Sequence, residues 1–346
     1  MTHSSTVLLG WDIGGVNTKA ARVDMEGDRP TLTASASAAL EMERSSAELV
    51  PTLRRLAGRL GGAPAAHAVT MTAELSQAFR TKREGVGFVL DAVAAAFPGE
   101  AASVYGIDGD FFDPAEARER PLEVAAANWA ATARFVGQQV PDCLLVDIGT
   151  TSTDIIPLVG AEPMTVGRTD PERLLSGELV YTGALRTPVE AVSRAVPLWG
   201  GLCPLAAERF ALIGDVYLWL GALEADDYTV ATPDGRPATR EFAGERLARA
   251  VCADAEMLDE EAVGTIARAL AEAQVLLVAD AVRRARVRHP RITTAVVTGL
   301  GDFIAAEAAR RQGLEVSHLA DRIGDAARTA PAAAVAWLLA EAIVTP

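Results

Sequence analysis

A nine-residue pattern that occurs twice, 135 residues apart and without a gap, constrains this chain more than any other feature. Residues 11–19 read WDIGGVNTK and residues 146–154 read VDIGTTSTD. In each copy an apolar run leads into Asp-Ile-Gly, and a threonine follows four residues after the glycine. Apolar residues then resume, which predicts a strand, a tight turn and a second strand. Because 135 residues exceed the period of a solenoid, the repeat indicates two related domains.

Each predicted hairpin has the composition of an anion-binding turn. Glycines allow consecutive backbone N–H groups to point toward one centre, and hydroxyl groups add donors. The candidate ligand contacts are Gly14, Gly15, Asn17 and Thr18 in the first hairpin, and Gly149, Thr150, Thr151, Ser152 and Thr153 in the second. Asp12 and Asp147 would repel a bare phosphate, so we expect them to bind a Mg²⁺ ion that accompanies the phosphate.

The composition predicts a cytoplasmic protein of roughly two domains of ~150 residues each. A net charge of −14 opposes binding to nucleic acid or to an anionic membrane. The three cysteines form no CxxC pair, which indicates a reducing compartment and no zinc site. The N-terminus lacks the basic region of a signal peptide, and we expect no membrane span. A homo-oligomer is compatible with this composition.

Hydrophobic periodicity predicts an alternation of strands and helices. We expect strands at residues 67–72, 103–106 and 294–298, and helices at residues 47–60, 87–97, 121–138, 208–223, 260–288 and 331–344. The polar stretch 226–242 carries proline and glycine and predicts an exposed loop.

The strand at 294–298 ends in Gly-Leu-Gly, where Gly299 and Gly301 offer a backbone surface for the non-phosphate part of a ligand. The order of two hairpins, a Gly-x-Gly strand end and an alanine-rich last helix resembles the superfamily of actin, hexokinase and DnaK-type chaperones. This resemblance implies an α/β actin-like ATPase fold with two ribonuclease-H-like domains that face each other across a cleft. The domains would be residues 1–140, with helix 331–346 packed back on them, and residues 141–330. Asp147 and Asp154 occupy the positions of the superfamily's second-hairpin carboxylates, and Asp12 that of the first.

Four longer segments resemble a narrower family. They are GWDIGGVNTKAA at 10–21, MTAELSQAFRTKREGV at 71–86, TDPERLLSGELVYTGALRTPVEAV at 169–192 and GDVYLWLG at 214–221. Together they resemble the hydantoinase/oxoprolinase-related proteins of tetrahydromethanopterin-linked one-carbon metabolism. The resemblance implies a methanofuran-biosynthesis synthase that joins 5-(aminomethyl)-3-furanmethanol diphosphate to the phenol oxygen of γ-glutamyltyramine and releases diphosphate. The expected enzyme is thus a Mg²⁺-dependent transferase of a group other than methyl, with these two small molecules as partners.

Several cations are candidates for binding the diphosphate. Lys19 follows the first turn directly and is suited to contact the leaving group. Arg80, Lys82 and Arg83 form a cationic cluster in an acidic chain, although such a run is as often a solvated surface.

The loop at residues 181–188 has no clear periodicity, and its Gly183 and Arg186 favour a binding role. Asp154 or Asp215 is expected to accept the phenol proton. A carboxylate matches a phenol of pKa ~10 only when its own pKa is raised.

Two other functions use the same hairpins. One is an ATP-dependent kinase or a hydantoinase-like amidohydrolase, which would need an adenine pocket near Gly299. The other is a nucleotide-switched scaffold of the actin-filament kind, against which the chain has no obvious insertion for polymer contacts.

Overall fold

The computed structural model describes residues 6–344, which form two compact units. The first unit contains the chain up to Leu145, the segment Ile156–Arg173 and the chain from His318 onward. The second unit contains Val146–Ile155 and Leu174–Ser317. The turn of the second glycine hairpin therefore belongs to the second unit, whereas the first hairpin belongs to the first.

Strand order shows how the two sheets are built. The strands are β1 Thr6–Ile13, β2 Asn17–Glu26, β3 Arg29–Ala39, β4 Ala66–Met71, β5 Ala101–Tyr105, β6 Phe111–Phe112, β7 Cys143–Ile148, β8 Thr153–Val159, β9 Glu162–Pro163, β10 Leu179–Val180, β11 Ala195–Leu198, β12 Gly201–Pro204, β13 Thr294–Thr298 and β14 Glu315–His318. The first sheet runs β3-β2-β1-β4-β5-β6, with β1 antiparallel to β2 and parallel to β4. The second runs β10-β8-β7-β13-β14 with β9 on β8, and β11 and β12 form a separate hairpin.

Helices connect these strands. They are α1 Met42–Ser45, α2 Leu49–Leu60, α3 Lys82–Ala96, α4 Pro114–Glu119, α5 Pro121–Val124, α6 Asn128–Gly137, α7 Asp170–Ser176, α8 Val189–Val192, α9 Ile213–Leu220, α10 Arg240–Arg249, α11 Glu260–Arg288, α12 Asp302–Arg311, α13 Ala320–Ile323 and α14 Ala330–Val344. The predictions of a helix at 260–288 and a strand at 294–298 are confirmed to the residue. The loop predicted at 226–242 is confirmed only in its middle, because a 3-10 helix covers Ala225–Asp227 and α10 begins at Arg240.

The prediction of a single helix at 121–138 is wrong in the middle of that stretch. The chain forms α5 and α6 instead, because Ala125 leaves the helix to bridge Met71. Ala126 then has a φ of 52°, in the left-handed region that non-glycine residues rarely adopt. The bridge to β4 outweighs the local helical preference.

The helix predicted at 208–223 is also wrong at its start, since α9 begins only at Ile213. Leu212 is extended and bridges Pro188, and Arg209 has a φ of 53°. The helix predicted from residue 87 begins earlier, at Lys82. Its N-cap is Thr81, whose hydroxyl accepts the backbone N–H of Glu84 at 3.1 Å.

The first sheet has apolar layers on both faces. Leu9 and Trp11 of β1 join a core with α2 and α3, and the alternating Gly10 faces the other way. On that other face α14 packs against β1 and β2. A Cβ atom added at Gly10 would lie 2.0 Å from the carbonyl oxygen of Ala332 and 2.7 Å from the Cβ of Ala336. The glycine therefore sets how closely α14 approaches the sheet.

Among residues 6–344, the helical stretches Glu260–Arg288 and Ala320–Val344 are long and apolar enough to span a membrane. Their most apolar windows have mean hydropathies of 1.5 and 1.3, and 50% and 61% of those windows are buried inside the protein. Helices that are apolar on most sides are equally typical of the core of a globular protein.

Replacement of Gly10 by alanine tests the packing of α14. We expect Gly10→Ala to lower the free energy of unfolding by ~1–3 kcal/mol, because the added methyl group meets backbone that cannot move aside easily. Urea denaturation measures the change. The control is Gly58→Ala in α2, where an added Cβ meets nothing within 4 Å. That control should gain ~0.5–1 kcal/mol from helix propensity, and equal effects of both substitutions would contradict the packing argument.

Candidate functional site

The two glycine hairpins close their turns in the same way. The backbone N–H of Gly14 donates to the carbonyl oxygen of Asn17 at 3.0 Å, and Gly149 donates to Ser152 at 3.0 Å. These four residues occupy equivalent positions in the repeat. A Cβ atom at Gly14 would lie 2.8 Å from the Asn17 oxygen, so the first turn requires glycine. The predicted strand, turn and strand are confirmed in both copies.

The first hairpin places a carboxylate beside an ammonium group. Asp12 and Lys19 are directly opposite each other in the β1–β2 register, and the Lys19 Nζ lies 3.4 Å from the Asp12 Oδ2. Asp12 is buried, whereas the Lys19 side chain retains 24% of its exposure. Thr18 is buried, and a Cβ atom at Gly15 would meet nothing within 4 Å. The open side of this turn is therefore at Gly15, with Lys19 the accessible cation.

The second hairpin is covered by the loop at residues 181–188, for which the sequence predicted a binding role. The backbone N–H of Ala184 donates to the Gly149 carbonyl at 2.9 Å, and that of Arg186 donates to the Thr150 carbonyl at 3.0 Å. A Cβ atom at Gly183 would lie 2.5 Å from the nitrogen of Thr151, so only glycine permits this approach. The structure thus brings the partly buried Arg186 to the turn of the second hairpin.

Two other predicted contacts of the second hairpin have defined positions. The Thr153 hydroxyl is buried and donates to the Thr182 carbonyl at 2.6 Å, so it holds the loop in place. Asp154 is partly buried on β8, opposite Leu179 of β10. Thr151 and Ser152 are partly buried at the turn itself.

The Gly-Leu-Gly segment lies directly against the same hairpin. Gly299 has a φ of 89°, and a Cβ atom there would lie 2.4 Å from the Oδ1 of Asp147. Gly301 donates its N–H to the Ile148 carbonyl at 2.9 Å. Asp147, the turn, the loop at Arg186 and the Gly-Leu-Gly backbone are therefore neighbours within the second unit.

The donor set suits a magnesium ion that arrives with a phosphate. No three His, Cys, Asp or Glu side chains cluster as a metal site within residues 6–344. Magnesium is usually bound by one or two carboxylates together with substrate phosphates, so a protein-only cage is not required. Asp12 lies next to the last residue of β1 and Asp147 next to the last residue of β7, and each strand leads into a glycine turn. The residues present fit such an ion.

The three residues of the predicted cationic cluster, Arg80, Lys82 and Arg83, have different surroundings in the structure. The Arg80 side chain is exposed, and the Arg83 guanidinium donates to the carbonyl of Arg118 at 3.1 Å. Lys82 instead points to two carboxylates. Its Nζ lies 2.6 Å from the Oδ2 of Asp170 and 3.7 Å from the Oε1 of Glu74. We call these three side chains the Glu74–Lys82–Asp170 cluster, which lies wholly in the first unit.

Glu74 is the most unusual member of this cluster. It is 2% exposed, and burial raises the pKa of its carboxyl group to about 7, although the charge of Lys82 opposes that shift. Glu74 and Asp170 were not among the site residues predicted from the sequence. The available signal was their position, since they lie in the segments 71–86 and 169–192 that carry the family resemblance.

Asp215, the alternative proton acceptor, belongs to a structural network. Its Oδ1 accepts hydrogen bonds from the Arg246 Nε at 2.8 Å and from the Tyr228 hydroxyl at 3.2 Å. Arg246 also pairs with Asp234 at 3.1 Å. Both Asp215 and Arg246 are fully buried, so these carboxylate oxygens are committed to holding α9 and α10 together.

Comparison with known proteins shows which family this chain belongs to. The hydantoinase/oxoprolinase family model matches residues 65–342. The chain is 36% identical over 303 residues to the (4-{4-[2-(gamma-L-glutamylamino)ethyl]phenoxymethyl}furan-2-yl)methanamine synthase of Methanocaldococcus jannaschii, covering 87% of this chain and 88% of the relative. It is 33% identical over 177 residues to the protein of the same name from Methanococcus vannielii, covering 51% of this chain and 79% of that one.

A solved structure supports the fold. Acetone carboxylase in its nucleotide-free form superimposes with a TM-score of 0.53 at 12% identity, over 95% of this chain and 70% of that one. At 12% sequence identity this structural similarity supports only the fold and not a shared function. The actin-like α/β fold expected from the sequence is confirmed.

The buried ion pair of Asp215 gives a stability prediction. Arg246→Met should lower the free energy of unfolding by ~3–5 kcal/mol, because it leaves a buried carboxylate without its charged partner. The matched control is Arg311→Met, since Arg311 pairs with Glu272 at the surface, and that loss should cost less than ~1 kcal/mol. Chemical denaturation of both variants checks the difference. A small effect of Arg246→Met would show that Asp215 does not depend on this pair.

Proposed function

Because the chain belongs to the hydantoinase/oxoprolinase family, we propose that it catalyses the reaction for which its 36%-identical relative is named. The product in that relative's name contains a phenoxymethyl-furan ether, so the reaction joins a phenol oxygen to the methylene carbon of a furan. The substrates are then 5-(aminomethyl)-3-furanmethanol diphosphate and γ-glutamyltyramine, and diphosphate is released. The observation that supports this proposal most is the 36% sequence identity to that relative, which extends over 87% of this chain. We place the reaction in the cytoplasm.

The chemistry requires stabilisation of a leaving group more than activation of a nucleophile. The C–O bond to diphosphate breaks with its electron pair on the diphosphate, and the furan ring stabilises the developing positive charge on carbon. The phenol oxygen then forms the new C–O bond. The protein must hold both partners in position and offset the negative charge that develops.

The hairpins supply the groups that bind the diphosphate. The backbone N–H groups of the two turns would donate to the diphosphate, and the partly exposed Lys19 would contribute an ammonium group. A bound Mg²⁺ ion would neutralise part of the diphosphate charge. Asp12 and Asp147 would hold it. We retain Arg80, Arg83, Arg186 and the Gly-Leu-Gly backbone as proposed substrate contacts.

The reaction itself is the first test. Purified protein, given both substrates and Mg²⁺, should form the ether and release diphosphate without ATP, because the diphosphate ester already carries the driving force. Liquid chromatography with mass spectrometry detects the ether, and a phosphate assay after treatment with inorganic pyrophosphatase detects the released diphosphate. EDTA should abolish turnover and added Mg²⁺ should restore it.

Two results would contradict this proposal in different ways. Tight binding and turnover of ATP, with no ether formed, would favour a kinase or an ATP-driven amidohydrolase. Full ether formation in EDTA would keep the reaction but remove the metal role of Asp12 and Asp147.

Lys19→Ala separates binding from chemistry. Hydrogen bonds to charged groups contribute ~1.5–3 kcal/mol, and each ~1.4 kcal/mol corresponds to about tenfold in rate. We therefore expect kcat to fall by roughly one to two orders of magnitude, because Lys19 contacts charge that grows in the transition state. The KM for the diphosphate should change less, and the KM for γ-glutamyltyramine should hardly change.

The control for Lys19 is Arg29→Ala, which removes an exposed cation from β3 of the same sheet. Its kinetics should match those of the wild-type protein. An unchanged kcat in Lys19→Ala would show that Lys19 serves only as the partner of Asp12.

A further inference from the structure

Glu74 is a buried carboxylate that the fold leaves poorly solvated. Within residues 6–344 no donor forms a hydrogen bond of regular geometry with either of its oxygens, and the backbone N–H groups of Glu74 and Ala126 only partly offset its burial by lowering the pKa of the carboxyl group. Buried polar groups are paired in the great majority of cases, because desolvation without a partner costs ~1–3 kcal/mol or more. A purely structural glutamate would be expected to have its donors, as Asp215 has. Glu74 has weaker compensation for its burial than Asp215 has, with its nearest cation, the Lys82 ammonium group, 3.7 Å away.

Lys82 connects this buried carboxylate to solvent. The Lys82 side chain is 23% exposed, and its ammonium group lies between Glu74 and Asp170. Lys82 is the first residue of α3, and the first turn of that helix is pressed against Glu74. A Cβ atom at Gly85 would lie 2.5 Å from the Glu74 Cα, so glycine allows this contact. Asp170 is the first residue of α7, and that helix is anchored by Arg173, whose guanidinium group lies 4.3 Å over the Trp129 ring.

Lysine is a rare choice in this protein. Of 32 lysines and arginines, only Lys19 and Lys82 are lysines, and each of them contacts a buried carboxylate. Arginine forms stronger paired contacts to carboxylates and keeps its proton, whereas a lysine can exchange protons. Arginine therefore serves the structural ion pairs of this chain, and lysine is retained where a proton could move.

We propose that Glu74 accepts the proton of the phenol through Lys82, with Asp170 holding the Lys82 ammonium group in position. This inference rests on the proposed condensation and deepens it. As the phenol oxygen bonds to the furan methylene carbon, its proton passes to the Lys82 nitrogen. Lys82 passes one of its own protons to the Glu74 carboxylate in the same step. Lys82 remains an ammonium group, Glu74 becomes a carboxylic acid, and the electron pair of the broken C–O bond leaves on diphosphate.

Electrostatics make Glu74 a suitable acceptor. The charged side chains that act on it are Lys82, which lowers its pKa, and Asp170, which raises it, and burial has a larger effect than either. The resulting pKa of about 7 lies near neutral pH, where an acceptor is most effective. The Lys82–Glu74 distance of 3.7 Å would have to shorten when substrate binds, as is common for catalytic hydrogen bonds in ligand-free structures.

The pH dependence of kcat/KM for ether formation tests this assignment. In the wild-type enzyme kcat/KM should rise with pH up to about 7, because only ionised Glu74 accepts a proton. Glu74→Gln should lower kcat by roughly 100-fold or more and abolish the rise of kcat/KM with pH, which is the acid limb of the profile. The KM for the diphosphate should stay within about twofold of the wild-type value, since Glu74 does not bind the leaving group.

Two further variants separate a proton path from simple charge. Lys82→Arg keeps the positive charge but cannot release a proton, so it should lose activity to a similar extent. Glu84→Gln removes an exposed carboxylate from the same segment and should retain the wild-type rate and pH profile. Wild-type activity in Lys82→Arg, or an unchanged acid limb in Glu74→Gln, would overturn the inference and leave the proposed function intact. Failure of the wild-type protein to form the ether would overturn both.

Stability measurements test the cluster without the reaction. The folded pKa of Glu74 lies above its ordinary value of 4.5, so the unfolded chain releases this proton first. Stability contributed by protonated Glu74 is therefore present at low pH and is lost as pH rises from about 4.5 to about 7. The unfolding free energy of wild-type protein should fall relative to Glu74→Gln across that range. A constant difference would show that Glu74 ionises normally, which would also overturn the inference.

Discussion

One backbone hydrogen bond in each glycine turn determines where the chemical groups stand. The bond from Gly14 to Asn17 fixes the register of β1 and β2, so that Asp12 faces Lys19. A slip of one residue would move one of these side chains to the other face of the sheet. The equivalent bond at Gly149 fixes the second turn, on which the loop at Arg186 and the Gly-Leu-Gly segment are then assembled. The remaining contacts of each hairpin depend on these two turns.

The sequence predicted the parts of the fold that local patterns determine. The helix at 260–288 follows from an unbroken apolar periodicity, and the strand at 294–298 from a β-branched run that ends in glycine. It did not predict the break between α5 and α6 or the late start of α9. In both cases a single bridge to a distant strand or loop, Met71 with Ala125 and Pro188 with Leu212, removes residues from a helix. Periodicity within a window contains no information about such partners.

The same distinction between local and long-range contacts applies to the candidate site. Both hairpins and their glycines could be read from the repeat, because the turn is a local structure with a strict residue requirement. Lys82 was selected only as part of a cationic run. Its closest partner, Asp170, is 88 residues later in the chain, and Glu74 turns inward because Gly85 allows α3 to approach. Neither fact is visible without the fold, although the segments that carry the family resemblance contain both residues.

Two buried carboxylates in this protein show how their partners determine their roles. Asp215 accepts hydrogen bonds from a guanidinium group, a tyrosine hydroxyl and the N–H of Leu212, which together hold it in place between α9 and α10. Glu74 is equally buried, but within residues 6–344 the cation that pairs with it is an ammonium group shared with Asp170. Burial raises the pKa of Glu74 most, the Lys82 charge offsets only part of that effect, and the nearby Asp170 charge raises the pKa a little further, to about 7. The same burial that would destabilise an idle glutamate thereby gives this one an affinity for protons that solvent-exposed carboxylates lack.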